Sequence, residues 1–556
     1  MWVHPGIMAI AGALTLLLLR GRVEKIVFVA IPSFSLSVLL LTSYGYFGQI
    51  PFEDLSFKFL NFTLTLARVD KLAMPFAYVF SIVAIAMNIY ALNSEKYEKV
   101  AAMIYFGSAL GVVFAKDFFT FYVFWEMMAI ASLFVIWSRG TKNSLEAGLR
   151  YALWHLTGGA FLIAGMALYI NQTGSIEFRL FENSGLSYYL ILLGVIVNAA
   201  VPPLHAWLPD AYPEASVTGA VYLTAFTTKS AVYALARGFP GEELLMYLGA
   251  IMAMYGVIFA VLENDGRRLL SYHIVSQVGY MVAGVGIGTA LAINGAVSHA
   301  FTHILYKALL FMGMGAVIEV TGRSKFTELG GLYRYMPVAF YLYMVGAFSI
   351  SAFPLFSGFV SKNMTVYASH EIFVVWLLLE ASSIGTFLHT GLKLPWNVWF
   401  ARDPIIEARE PPKNMLAGMA ILAGLNIFLG IYPGYEMLYS LLPYEVNYEP
   451  YEFGKVIAMS QLLIFTFFAF WILRDKLRGE EKIVLDTDWL PRILGNYLFY
   501  WICRFSELSK NMDREVLSFA AGFKKISGIR IKEISAGYGL VITVAIFAFY
   551  LFLFLI

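Results

Sequence analysis

His299, His303 and Lys307 recur every fourth residue in a run that is otherwise apolar from Ala296 to Val320. On a helix this spacing sets the three groups along one face, over about 12 Å at 1.5 Å of rise per residue. A charge facing lipid at that depth is costly, so the row must look into protein or onto water. Imidazole titrates near neutral pH and can both donate and accept, so the chemistry on offer is proton relay. Two histidines at i, i+4 also have metal-ligand spacing. Here no glutamate lies between them and no third ligand is evident, so no metal is assigned. The plainer alternative is a pair of buried histidines that only pack.

Other ionisable residues interrupt apolar runs in the same way. Glu126 sits in Tyr122-Val-Phe-Trp-Glu126-Met-Met, where burial favours a carboxyl that takes up and releases a proton. Its alternative role is a structural ion pair. Lys229 lies in Thr227-Thr228-Lys229-Ser230, and Lys362 follows Ser357-Gly358-Phe-Val-Ser. Lys393 completes the set of proton-carrying candidates, although a lysine there could also snorkel to an interface. His205 and the pair Tyr272-His273 are candidate path or exit residues. His155 and His389 read as packing residues.

These side chains need membrane-spanning elements to hold them. Apolar runs of about 20 residues give roughly fourteen to sixteen candidate transmembrane helices. Two are broken at mid-depth. One reads Asn198-Ala-Ala-Val-Pro202-Pro203-Leu-His205 and the other Ser351-Ala-Phe-Pro354-Leu-Phe-Ser357-Gly358. Proline removes a donor and frees backbone groups. Both breaks fall at the fourth helix of a set of five, the pattern of an inverted repeat with a site at each break. Residues 50–68 alternate apolar and polar, which predicts a small external hairpin.

The chain therefore divides into N-terminal helices and hairpin (1–97), a first half-channel (98–240), a second (241–402), additional helices (403–473) and a final region (474–556). In that last region Leu494, Leu498, Trp501, Ile502 and Phe505 suit an amphipathic helix lying along the membrane surface before a last span. Loops after odd-numbered spans hold most of the Lys and Arg, among them Arg139, Lys142, Arg267, Arg268, Arg323 and Lys325. That bias puts both termini outside the cell membrane.

Composition agrees. Of 556 residues, 60% are hydrophobic and 14% charged. A soluble protein would be nearer one quarter charged. A net charge of +2 gives no reason to expect nucleic acid. Cys503 is the one cysteine, which excludes an iron–sulfur cluster or disulfide framework within this chain. No nucleotide-binding loop or dinucleotide fingerprint is present, so no cofactor is assigned and the driving force must come from an ion gradient or another subunit.

Three longer stretches carry a family resemblance. They are Pro203-Leu-His-Ala-Trp207-Leu-Pro209-Asp210-Ala211-Tyr, Arg267-Arg268-Leu-Leu-Ser-Tyr272-His-Ile-Val-Ser276-Gln277-Val-Gly279-Tyr280 running on through His299 to Gly313, and Ser357-Gly358-Phe-Val-Ser-Lys362. With Phe124-Trp125-Glu126 they resemble the antiporter-like subunits of complex I and of Mrp-type cation/proton antiporters. The wording is closest to subunits of archaeal membrane-bound hydrogenase and sulfur-reducing complexes. The resemblance implies an all-α polytopic fold with two inverted five-helix repeats and a C-terminal lateral helix. It also implies a hydrated charged axis on which Glu126, Lys229, His299, His303, Lys307 and Lys362 match the family's residues. One position departs: many members place a lysine where this chain has Asn198. Either Lys229 becomes the partner of Glu126, or the first half conducts differently.

The resemblance implies a non-catalytic, ion-translocating subunit of a redox-driven complex, with redox centres on partner subunits. Expected partners are other membrane subunits (antiporter-like, small Mrp-like and hydrogenase-like), the lipid bilayer, and H⁺ with or without exchange for Na⁺. A stand-alone Na⁺/H⁺ antiporter subunit is the second reading. A largely structural subunit that braces its neighbours through the lateral helix is the third.

Overall fold

The computed structural model describes residues 2–45, 56–59, 62–181, 185–402, 408–481, 485–489, 493, 494 and 497. The expected lateral helix and the last span, 536–556, fall almost wholly outside the described residues. Helices α1 (Pro5–Leu16) and α2 (Gly21–Ser43), strands β1 (Ser56–Phe59) and β2 (Phe62–Thr65), and α3 (Ala73–Tyr90) come first. The strands pair antiparallel with Phe57 opposite Leu64, which is the hairpin that the alternation predicted.

Two long sets follow. The first is α4 (Lys96–Phe114), α5 (Phe118–Trp137), α6 (Lys142–Thr173), α7 (Leu186–Asn198), a break, then α8 (Trp207–Ala211), α9 (Val217–Leu223) and α10 (Thr227–Gly238). The second is α11 (Glu243–Leu262), α12 (Gly266–Ile287), α13 (Ala290–Thr321), α14 (Pro337–Ile350), a break, then α15 (Ser357–Ala368) and α16 (Phe373–Thr386). The last of these runs on as π-helix over Phe387–Lys393 and Trp396–Phe400. Helices α17 (Lys413–Phe428), α18 (Gly434–Ser440) and α19 (Phe453–Leu473) complete the described fold.

The sets match element by element. Asp117 caps α5 by accepting from the Thr120 amide, and Asp265 caps α12 by accepting from the Arg267 and Arg268 amides. Each aspartate also bridges to the strand-like residue after the next helix, Glu177 in one set and Lys325 in the other. Helices α6 and α13 are both 32 residues long, both start from a threonine cap (Thr141, Thr289) and both stop at a left-handed glycine (Gly174, Gly322). The side-chain caps satisfy amides that helix starts leave free, and glycine takes the left-handed stop without a Cβ penalty. Five crossings are an odd number, so the second set starts on the opposite face of the membrane from the first.

The breaks match too. Two residues past the end of α7 and of α14, an alanine adopts the left-handed region: Ala200 at φ 57° and Ala352 at φ 56°. An L-residue there costs roughly 1 kcal/mol. In each case the next amide reaches back five residues, Val201 to the Ile196 carbonyl and Phe353 to the Phe348 carbonyl. The Trp207 indole donates to the Val197 carbonyl at 2.9 Å.

Among the described residues, nine helices are long and apolar enough to cross a membrane, and four shorter apolar helices include α7 and α14. The breaks cut some spans into pieces, which is one reason the long helices are fewer than the apolar runs. One expected span, 217–237, is not continuous. It parts at residues 224–226 into α9 and α10, where the Tyr105 hydroxyl accepts from the freed Thr227 amide at 3.0 Å.

Close packing holds the second set together. At α11 against α12, a Cβ on Gly249, Gly256, Gly279 or Gly286 would run into the backbone of the facing helix. In lipid, association relies on such close approach rather than on a hydrophobic drive. Gly279→Val is expected to lower the thermal unfolding temperature of the detergent-purified protein by several degrees. Gly424→Val, at a position in α17 with no atom within 4 Å of an added Cβ, should change it little.

Candidate functional site

Helix α13 carries the central row. All residues from Ala292 to Val317 are buried, so no face of that stretch meets lipid. His299 lies 5.9 Å from His303 between ring centroids, and His303 lies 5.3 Å from Tyr306. Among the described residues, both nitrogens of His303 and Nε2 of His299 have no hydrogen-bond partner. Lys307 Nζ contacts His273 Nδ1 at 3.2 Å, and His273 Nε2 contacts the Thr386 hydroxyl at 3.2 Å. The His389 ring lies 4.7 Å from that of His273. The structure thus brings His273 and His389 onto the row. The π-helical turn after Thr386 aims His389 inward, a feature that local sequence does not announce.

Lys362 sits on α15 directly after the second break, fully buried. Its ammonium has no hydrogen-bond partner and lies 5.4 Å from the centre of the Tyr280 ring. Glu380 on α16 is the carboxylate in electrostatic range of it. Glu380 also lines a cavity of about 390 Å³ with His370, Tyr367, Tyr448 and Lys455. Sequence reading passed over Glu380, although a glutamate inside the run 373–386 was a usable signal.

In the first set, Glu126 on α5 receives a hydrogen bond from Tyr122 one turn earlier. Its Oε1 has no partner and occupies the space beside Gly159 of α6 that a Cβ would fill. Lys229 is fully buried, and its ammonium donates at 2.6 Å to the Thr224 carbonyl, which the parting of α9 from α10 leaves free. Glu126 and Lys229 form no ion pair among the described residues. The partnership considered from sequence is therefore replaced by two separate contacts, each set by local backbone. Asn198, the last residue of α7, is fully buried, and its amide lies within hydrogen-bonding reach of the His155 imidazole.

Two expected residues make further contacts of their own. Lys393 donates to the carbonyls of Val261 and Glu263 at 2.5 and 2.9 Å. It thus caps the C-terminal end of α11, where a cation complements the helix dipole. His205, beyond the first break, contacts Asp486 at 3.2 Å. Asp486 belongs to residues 485–489, and it also accepts from Tyr255 and, at 2.6 Å, from Tyr272. Burial disfavours its charge, but the His205 and tyrosine contacts outweigh that and hold the carboxyl well below the usual carboxylate range. Thus His205 and Tyr272 meet at one spot while His273, the next residue along, points to Lys307.

The arrangement is a set of buried ionisable groups, several without partners, strung between two backbone breaks. Among the described residues, Lys229, Lys307 and Lys362 make no ion pair with any carboxylate, and no group of three or more His, Cys, Asp and Glu residues could hold a metal. Lys393→Met is expected to destabilise the purified protein by about 1–3 kcal/mol, by stripping two carbonyls of their donor. Lys362→Met should be neutral or stabilising, because it removes a cation that has no partner to lose. Thermal unfolding of the two variants in detergent checks the contrast.

The model of a family described as NADH:quinone oxidoreductase/Mrp antiporter, transmembrane, matches residues 115–389. A Na⁺/H⁺ antiporter subunit of Alkalihalophilus pseudofirmus is 32% identical over 392 residues, covering 65% of this chain and 79% of the relative. Hydrogenase-4 component B of Escherichia coli is 28% identical over 427 residues, covering 67% of this chain and 63% of that longer relative. Among solved structures, a chain of the membrane-bound sulfane sulfur reductase, an archaeal respiratory membrane complex, superposes with a TM-score of 0.72 at 24% identity, covering 98% of this chain and 99% of that one. That last likeness is one of fold.

Proposed function

The chain belongs to the family of NADH:quinone oxidoreductase and Mrp antiporter membrane subunits, and from that premise we propose that it carries protons through the membrane as the antiporter-like subunit of a redox-driven complex. The observation that carries this reading is the buried row without counter-charges. A structural ion network would pair Lys229, Lys307 and Lys362 with carboxylates, since unpaired buried charge is the costliest arrangement available. These three instead meet a carbonyl, an imidazole and an aromatic face. Such contacts let a lysine gain or lose its proton without breaking a salt bridge.

The path runs from Glu126 through Lys229 to His299, His303 and Lys307, on to His273 and His389, and out by way of Lys362 and Glu380. The half-channels are residues 98–240 and 241–402, each centred on its break. The chain sits in the cell membrane with the loops rich in Lys and Arg inside. Electron transfer belongs to partner subunits of the hydrogenase or sulfur-reductase kind. Likeness to hydrogenase-4 component B and to the sulfane sulfur reductase supports that choice.

The second reading, exchange of Na⁺ for H⁺ without a redox partner, is favoured by the 32% identity to a Na⁺/H⁺ antiporter subunit. The subunits that copurify with the tagged chain separate the two. In the purified complex reconstituted into vesicles, Lys307→Ala and Glu126→Ala should each cut redox-driven acidification roughly tenfold or more. Wild-type gradients in both variants would remove the proposed function.

A further inference from the structure

The matching of the two sets carries one step further than the path above. His155 is the fourteenth residue of α6 and His303 the fourteenth of α13, in helices of equal length with the same threonine cap. Gly159 and Lys307 are likewise each the eighteenth. In the second set, the eighteenth position bears the ammonium that meets His273 of α12. In the first set, the eighteenth position is bare, and the carboxylate of Glu126 on α5 fills the space instead. The ionisable group has moved from one helix to its neighbour, but the location is kept. One turn before it, both sets hold a histidine.

The surroundings of His155 are those of a carrier. It is 2% exposed, and its imidazole lies within hydrogen-bonding reach of the Asn198 side chain. Its ring lies against Tyr151 and Trp207, with centroids at 4.1 and 4.6 Å. The Asn198 side chain is 0% exposed. Buried polar atoms are rarely left unsatisfied, so imidazole and amide serve as each other's polar contact.

We propose that His155 is the proton carrier of the first half-channel, at the place that His303 holds in the second. This rests on the proton-carrying function proposed above. The imidazole takes a proton at one nitrogen from the Glu126 side through water, and releases the proton of its other nitrogen toward Lys229. Each passage leaves the ring neutral with its N–H on the uptake side, and a flip of the ring returns that N–H to the release side before the next proton enters. Asn198 orients the water and the ring, and carries no proton itself.

The test uses the intact complex in vesicles with redox-driven acidification as the readout. His155→Phe keeps an aromatic ring against Tyr151 and Trp207 but cannot carry a proton. It should assemble, and acidification should fall roughly tenfold or more. Adding Asn198→Lys to that variant places an ammonium in the same pocket, and should restore a substantial part of the lost rate. Full acidification by His155→Phe overturns the proposal, and so does loss that Asn198→Lys does not relieve, since that marks a packing role. If His155→Phe fails to assemble, His155→Gln with and without Asn198→Lys decides between the same outcomes. Normal acidification by Lys307→Ala would instead undo the underlying function, so the two failures are distinguishable.

Discussion

An ionisable side chain at mid-membrane cannot face lipid, and the rest of this structure follows from that constraint. Helix α13 bears three such groups on one face. It meets the cost by having no lipid face along the stretch that bears them. Helices α3, α9, α12, α14, α15 and α17 all pack against it. The outer helices, by contrast, expose large apolar side chains such as Ile251 on α11 and Phe465 on α19. The glycine contacts between α11 and α12 serve the same end, because helices must come close to exclude lipid from a polar centre.

A second constraint acts on the backbone. Breaking a helix in a membrane frees donors and acceptors that lipid cannot satisfy. Each freed group here finds a use. The Thr224 carbonyl receives the Lys229 ammonium, the Val197 carbonyl receives the Trp207 indole, and the Thr227 amide finds the Tyr105 hydroxyl. The same breaks that position the ionisable groups thus also provide neutral partners for them.

The repeat shows what is preserved and what is free to change. Caps, helix lengths, end glycines and the left-handed alanines recur in both sets. The residues that supply charge do not. Lys307 corresponds to Gly159, and the ion in the first set comes from Glu126 of the neighbouring helix. A frame of this kind asks only that a titratable group occupy a location, and leaves open which helix brings it.

Much of this was legible in the residues themselves. An apolar run too long for a soluble core must span the membrane, proline at mid-run must break it, and a charge within it must turn inward. Those rules follow from local composition, and they found the hairpin, both breaks, Glu126, Lys229, Lys362 and the row on α13. Tertiary structure alone decided what each side chain meets. His273 and Tyr272 are neighbours in sequence, yet one joins Lys307 and the other joins Asp486, because successive residues on a helix point about 100° apart. Lys393, read from sequence as a member of the axis, donates to the carbonyls that end α11. His155 and His389 read as packing residues, and their rings do pack, but each also meets a polar neighbour, His155 the Asn198 amide and His389 the Thr390 hydroxyl. Spacing along one helix is a local property and can be read directly. The facing partner comes from a segment tens to hundreds of residues away, and only packing brings it there.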